Sequence, residues 1–267
     1  MLKIFYAAIK QNSLRWAAMT SVYKKLFFLT AFSIAMGFVE TAVVIYLREL
    51  YYPLPDGFKF PLVPIPPNIA VVEFLREAAT IIMLAGVGIL AGRNKTEKFA
   101  FFIYCFAVWD IFYYVFLKIF LNWPESFFTW DVLFLIPVPW VGPVLAPVFV
   151  SLVMILLAGI IVFFEERNVN TKFLWKETVP ITFGCFIIIF SFMMDYVEYV
   201  LGSRSETGIW NVASEKALFE EVANYVPLHF NWLMFLTGGA VLLFGIAVFF
   251  FRMKKQWRMF RSATEYH

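Results

Sequence analysis

The chain has 267 residues, of which 62% are hydrophobic and only 15% are charged, and its formal net charge is +3. Soluble domains average about half apolar and about a quarter charged residues. The composition therefore excludes an ordinary soluble domain and predicts an integral membrane protein, in which each crossing of the bilayer takes about 20 residues.

The N-terminal segment, residues 1–25, mixes basic and aromatic side chains and contains no continuous apolar run. This pattern is typical of an amphipathic helix that lies on an anionic membrane surface. A cleavable signal peptide needs an apolar core, which this segment lacks. We therefore expect an interfacial helix, followed by a first apolar run that acts as an uncleaved anchor.

Six apolar stretches follow, each close to the ~20 residues that cross about 30 Å of hydrocarbon. They are residues 26–47, 69–91, 99–121, 142–164, 179–201 and 228–251. A seventh stretch, around 126–140, is shorter and contains Asp131 and two prolines. We interpret it as a re-entrant or interfacial segment. The predicted fold class is an all-α integral membrane protein, with a single six-helix domain over 26–251 and a basic tail over 252–267.

The distribution of Lys and Arg predicts the orientation. Six spans place 16 of the 22 basic residues at the two termini and in the loops 92–98 and 165–177. Cytoplasmic segments carry such an excess. Both termini are therefore expected in the cytoplasm, and the chain in the cell (inner) membrane. On the outer side, the six prolines of 51–67 predict a stiff cover, and 213–225 is predicted to form a short helix.

Six acidic side chains lie within the apolar stretches, where a charge costs roughly 2.5–3.5 kcal/mol at the membrane centre. At a rise of ~1.5 Å per residue, all six belong to the outer half of the membrane. They are Glu40, Glu73, Glu77, Asp110, Asp195 and Glu198. Because isolated carboxylates facing lipid would be too costly, we expect the side chains of Glu40, Asp110 and Asp195 to converge.

Helical spacing groups four of these acids into pairs. Glu73 and Glu77 are four residues apart and share a helix face, with Arg76 beside them. Asp195 and Glu198 are three residues apart on another span. The spacing therefore predicts two patches of paired carboxyl groups on two different helices.

The two remaining acids have different neighbours. Asp110 is followed by Tyr113 and Tyr114 on its own helix face. Glu40 shares a stripe of its helix with small residues that include Gly37, which suits a close contact with another helix rather than with lipid. Both acids are therefore expected to face the interior of the bundle.

The basic side chains available inside the spans, Arg76 and Lys118, leave up to four of the six acids without a counter-charge. The excess has to be relieved by protons, by a bound cation or by a metal ion. The candidate ligands are Glu40, Glu77, Asp110, Asp195, Glu198 and His229, with Glu73, Arg76, Tyr113 and Tyr114 in support. Such oxygen-rich ligation would suit Fe, Mn or Ca better than Zn or Cu.

Each candidate also has a purely structural interpretation. Arg76 and Glu77 can form a buried ion pair, and Glu198 can extend to the membrane surface. Glu40 and Asp110 cannot reach water along their own helices, so they are the strongest functional candidates.

Residue types exclude several cofactors. His229 is the one histidine within the predicted domain, so two histidines for a haem or three for a zinc site are not available. The last span has no lysine for a retinal, and no nucleotide-binding loop is present. The expected partners are membrane lipids, an apolar substrate or other membrane subunits, with no nucleic acid.

Three functions remain open. The first is a cation or metal site in the outer half of the membrane, with a catalytic role on a lipid or another apolar substrate. The second is a proton- or cation-coupled transporter, although the inner half offers few polar side chains, namely Ser33, Thr182 and Ser191. The third is a structural subunit of a larger membrane complex.

Overall fold

A computed structural model of the chain describes residues 2–51, 66–136, 138–207 and 225–265. Its helices are α1 (Leu2–Tyr51), α2 (Pro67–Ala91), α3 (Lys95–Leu121), α4 (Leu145–Glu165), α5 (Trp175–Thr207) and α6 (Trp232–Glu265). All six contain a stretch that is long and apolar enough to cross a membrane. The prediction of six membrane-spanning helices is therefore confirmed.

The segment around 126–140 contains a feature that an all-α fold does not. Strands β1 (Trp130–Phe134) and β2 (Trp140–Pro143) form an antiparallel hairpin in which Val132 lies opposite Val141. A residue that precedes a proline is biased towards an extended backbone, which suits Gly142 before Pro143. Because residues 140–143 form β2, the fourth span begins with α4 at Leu145, whereas the sequence predicts its start at residue 142.

α1 is one unbroken helix of 50 residues, about 75 Å long at a rise of 1.5 Å per residue. The sequence predicts a change from an interfacial helix to a span near residue 25, and the helix has no interruption there. The side chains that precede Ser21 lie outside the described residues, as do most of the predicted cover 51–67 and the predicted short helix 213–225. These three features stay predictions.

Glycines let the helices approach closely. A Cβ atom on Gly184 of α5 would lie 2.6 Å from the backbone nitrogen of Leu242 and 2.8 Å from the carbonyl oxygen of Gly238, both on α6. A Cβ atom on Gly88 of α2 would lie 2.9 Å from the carbonyl oxygen of Lys98 on α3. Small residues are the usual means of close packing between membrane helices, because a larger side chain at the contact would keep the two backbones apart.

The bundle has two distinct ends. At the hairpin end, α1, α3 and α5 end and α2, α4 and α6 begin. At the opposite end, charged residues connect the helices: Arg93 donates to Glu166 at 2.5 Å, and Arg252 of α6 pairs with the buried Glu177 of α5. Lys25 donates to the carbonyl oxygen of Ala91 at 3.0 Å, which ties α1 to the last turn of α2.

We expect Gly184→Ala to destabilise the protein, because the new methyl group would meet the backbone of α6. Overpacking of this kind costs about 1–3 kcal/mol. Gly86→Ala on α2 is the matched control: its Cβ would have no neighbour within 4 Å, and alanine favours a helix by up to about 1 kcal/mol. Thermal unfolding in detergent compares the two, and equal melting temperatures would contradict the close α5–α6 packing.

Candidate functional site

Arg76 of α2 binds two acidic side chains. Its Nε donates to Glu73 Oε2 at 2.8 Å, one turn earlier on the same helix. Its Nη1 donates to Glu40 Oε2 on α1. Only 23% of the Arg76 side chain and 16% of the Glu40 side chain are exposed, so this is a partly buried ion pair between two helices.

The position of Glu40 follows from a close contact between α1 and α3. A Cβ atom on Gly37 would lie 3.0 Å from the carbonyl oxygen of Trp109 and 3.1 Å from the backbone nitrogen of Tyr113. The buried Thr41 donates through Oγ1 to the carbonyl oxygen of Gly37 at 2.8 Å and approaches that of Tyr113 at 3.3 Å. The small residues beside Glu40 therefore pack against a helix, and Glu40 is fixed beside that contact.

The hairpin is tied to the helices by two more carboxyl groups. The backbone N–H of Leu135 donates to Glu77 Oε2 at 3.0 Å, which joins the end of β1 to α2. The hydroxyl of Tyr114 on α3 donates to Asp131 Oδ2 at 2.9 Å. The second oxygen of Asp131 accepts the backbone N–H of Val132, also at 2.9 Å. Asp131 itself is 3% exposed.

Asp110 connects α3 to α4. Its Oδ2 accepts a hydrogen bond from Ser151 Oγ at 2.8 Å. Asp110 also lies close enough to Asp131 for the two groups to interact electrostatically, and so does Arg48 of α1. The guanidinium of Arg48 lies 5.6 Å from the ring centroid of Trp123 and is almost fully buried.

Tyr113 brings these groups into one arrangement, because it lies within electrostatic range of Glu40 and Arg76 as well as of Asp110 and Asp131. We call the whole set the polar cluster. It consists of Glu40, Arg48, Glu73, Arg76, Glu77, Asp110, Tyr113, Tyr114 and Asp131. Its five carboxyl groups and two guanidinium groups would sum to three negative charges if all were ionised.

Asp195 of α5 has other partners. Its Oδ2 accepts the hydroxyl of Tyr225 at 2.5 Å, and its Oδ1 accepts the backbone N–H of His229 at 2.9 Å. Burial, together with the hydrogen bond to Asp195, raises the pKa of Tyr225, which keeps that hydroxyl protonated as a donor. Glu198 is exposed. The structure thus brings Glu40 and Asp110 towards the same tyrosine and gives Asp195 a separate environment.

Two members of the polar cluster, Arg48 and Asp131, and the partner Ser151 were not among the predicted site residues, and Lys118 was predicted to offset the acids. Arg48 lies two helical steps of four residues after Glu40, so the periodicity of α1 could have identified it. Asp131 was visible as a lone acid in an apolar stretch, whereas Ser151 carried no signal. Lys118 donates to the carbonyl oxygen of Pro124 at 3.0 Å. Its ammonium group therefore binds the backbone that follows α3 and does not neutralise an acid of the polar cluster.

Among the residues that the structure describes, no group of three or more His, Cys, Asp or Glu side chains is placed to hold a metal ion. The carboxyl groups accept hydrogen bonds from separate donors of the protein instead. The iron, manganese or calcium ion stays a prediction of the sequence.

Comparisons with protein-family models, with curated proteins and with solved structures give no match to this chain. Helical bundles carry many unrelated functions, so the fold alone does not specify one. The chemistry of the polar cluster is the feature of this chain that bears on function.

We expect Glu40→Gln to destabilise the protein by about 3 kcal/mol, because it leaves the guanidinium of Arg76 with an incomplete set of counter-charges. Arg76→Met leaves two carboxylates without their cation and should cost at least as much. The double variant should cost less than the sum, with a coupling of about 0.5–3 kcal/mol. Unfolding free energies in detergent give this cycle, with Lys118→Met as the control for loss of a cation elsewhere. Strict additivity would contradict the pair.

Burial raises the pKa of Asp131 to about 7, although its bonds to Tyr114 and Val132 act in the opposite direction. The folded protein therefore binds a proton that the unfolded chain, with an ordinary value of 3.8, releases. The resulting stability is complete below about pH 3.8 and is lost as the pH rises through about 7.

Between pH 5 and pH 7, we expect the parent protein to lose stability relative to Asp131→Asn by roughly 1.4 kcal/mol per pH unit. The variant has no group to titrate at this position. Chemical unfolding of both proteins across this range gives the difference. Parallel stability curves would contradict the shifted pKa.

Proposed function

We propose that the protein carries a carboxylate-rich cation-binding site in the outer half of the cell membrane, and that the cation is an exchangeable proton. The excess of carboxyl groups over guanidinium groups in the polar cluster supports this proposal. Arg48 and Arg76 are its two cations, against five acids. Three unbalanced charges among apolar helices would be too costly, and protonation removes that cost.

The geometry favours protons over a metal ion. A divalent ion needs several oxygen ligands that converge on one point. Here the acids are distributed over α1, α2, α3 and β1, and Asp110, Asp131 and Glu77 each accept a different donor. Protons can neutralise such a distributed set one carboxyl group at a time. An iron, manganese or calcium ion is the alternative occupant.

The excess of Lys and Arg at the opposite end supports placing that end in the cytoplasm and the hairpin end outside. In this orientation the polar cluster belongs to the outer half of the membrane. Asp110 and Asp131, each with a hydroxyl partner, are then suited to general acid and base roles on a lipid or another apolar substrate.

A second candidate function, proton-coupled transport, is favoured by polar contacts between α1 and α3 on the other side of Glu40. The hydroxyls of Thr30 and Tyr104 lie 2.7 Å apart, and Ser33 is within hydrogen-bonding reach of the Cys105 thiol. Such pairs extend polar groups from the cluster towards the opposite end, where the sequence alone identifies few polar side chains. A transporter would use them to pass protons across the inner half of the membrane.

We expect the purified protein to contain no stoichiometric metal, and Asp110→Asn to melt close to the parent temperature. An amide is a near-isostere of a protonated acid, so neutral Asp110 is replaced at little cost. Glu198→Gln is the control for loss of an exposed carboxylate on α5. Metal analysis and thermal unfolding of the three proteins provide the test.

Stoichiometric metal in the parent protein, lost together with stability in Asp110→Asn, would contradict proton occupancy. A ligand present at 100 times its dissociation constant stabilises a protein by about 2.7 kcal/mol, so its loss would be visible. Proton flux in vesicles separates the two functions. A transporter dissipates a pH gradient and an enzyme does not.

A further inference from the structure

A groove of about 340 Å³ lies between α1, α3 and α4, away from the polar cluster and towards the opposite end of the bundle. Leu26 of α1, Tyr104 of α3 and Gly159 of α4 are among its lining residues. A Cβ atom on Gly159 would have no neighbour within 4 Å, so the absence of a side chain there leaves open space. The groove faces outward from the bundle, where lipid surrounds the helices.

The length of the groove matches one leaflet. Its lining residues run from Ile155 on α4 to Arg167 in the turn that follows the helix. The 10 residues of α4 from Ile155 to its end at Glu165 correspond to about 15 Å. Half of the hydrocarbon core is about 15 Å thick. The groove therefore has the length of a lipid acyl chain that reaches from the membrane surface to the midplane.

Polar groups stand at the two ends of the groove and leave its middle apolar. At the inner end, the hydroxyl of Tyr104 is bonded to Thr30. At the surface end, Glu166 is paired with Arg93 at 2.5 Å. Arg167 also lines the surface end, with its guanidinium 3.4 Å from the ring centroid of Phe163. The surface end of the groove, which we call its mouth, thus presents the guanidinium of Arg167, which is held against an aromatic ring.

We propose that this groove binds an acyl chain of an anionic membrane phospholipid, with its phosphate beside Arg167. The groove is too small for a helix of another protein, which has a diameter of about 10–12 Å. A cation at the mouth favours an anionic headgroup over a neutral one. The Lys and Arg distribution that predicts a cytoplasmic opposite end also places the mouth in the leaflet where anionic lipids concentrate.

Native mass spectrometry of the full-length protein, released from nanodiscs of mixed phosphatidylglycerol and phosphatidylcholine, tests the proposal. We expect the parent protein to retain one phosphatidylglycerol molecule. Gly159→Leu should lose it, because the new side chain fills the groove. Gly86→Leu on α2 is the control, since its position is equally open but outside the groove. Arg167→Gln should keep a lipid but lose about fivefold in preference for phosphatidylglycerol, the equivalent of about 1 kcal/mol.

Retention that is unchanged in Gly159→Leu would overturn the site, and equal retention of the two lipids by the parent protein would overturn the choice of an anionic headgroup. If Gly159→Leu does not fold, Arg167→Gln carries the test. An unaltered lipid preference in that variant would then contradict the role of its guanidinium.

Discussion

A charge that lies among apolar membrane helices must be paired, and at the hairpin end Arg76 meets this requirement for two acids. Its guanidinium binds Glu73 on its own helix and Glu40 on α1. Glu77, the residue that follows Arg76 on α2, accepts the backbone N–H of Leu135 and so attaches the hairpin. The same face of α2 therefore positions both α1 and the hairpin.

The close contact between α1 and α3 fixes the position of Glu40. Gly37 lets the two backbones approach, and Thr41 approaches a carbonyl oxygen of α3 across the contact. On the far side of α3, Asp110 is bonded to Ser151 of α4. α3 thus lies between one carboxyl group that is paired with an arginine and another that accepts a hydrogen bond from a neutral hydroxyl. This inequality is the physical basis for assigning a bound proton to the cluster.

Charged side chains are paired differently at the two ends of the bundle. At the opposite end, buried acids are paired directly with arginines, as in the contacts of Arg93 with Glu97 and of Arg252 with Glu177. Such pairs fix the turns between helices and need no further ligand. Among the described residues of the polar cluster the acids outnumber the bases, and we infer that bound protons supply the missing positive charge. We place the function there for this reason.

Much of this architecture could be predicted from the sequence, because a helix that crosses lipid must be long and continuously apolar to satisfy its own backbone. Local spacing likewise predicted that Glu73 and Arg76 would be neighbours. The hairpin was missed because two strands of four or five residues resemble any short apolar segment. Ser151 joined the site through a contact between two different helices, which periodicity along one helix cannot reveal.

The number of protonated carboxyl groups in the folded protein tests the central claim most directly. Infrared spectroscopy detects it, because the carbonyl stretch of a protonated acid is separate from the bands of a carboxylate. For purified protein just below neutral pH, we expect a protonated-acid band that loses most of its intensity when Asp110 and Asp131 are both changed to asparagine. A parent protein without this band, with every carboxyl group ionised, would contradict the account.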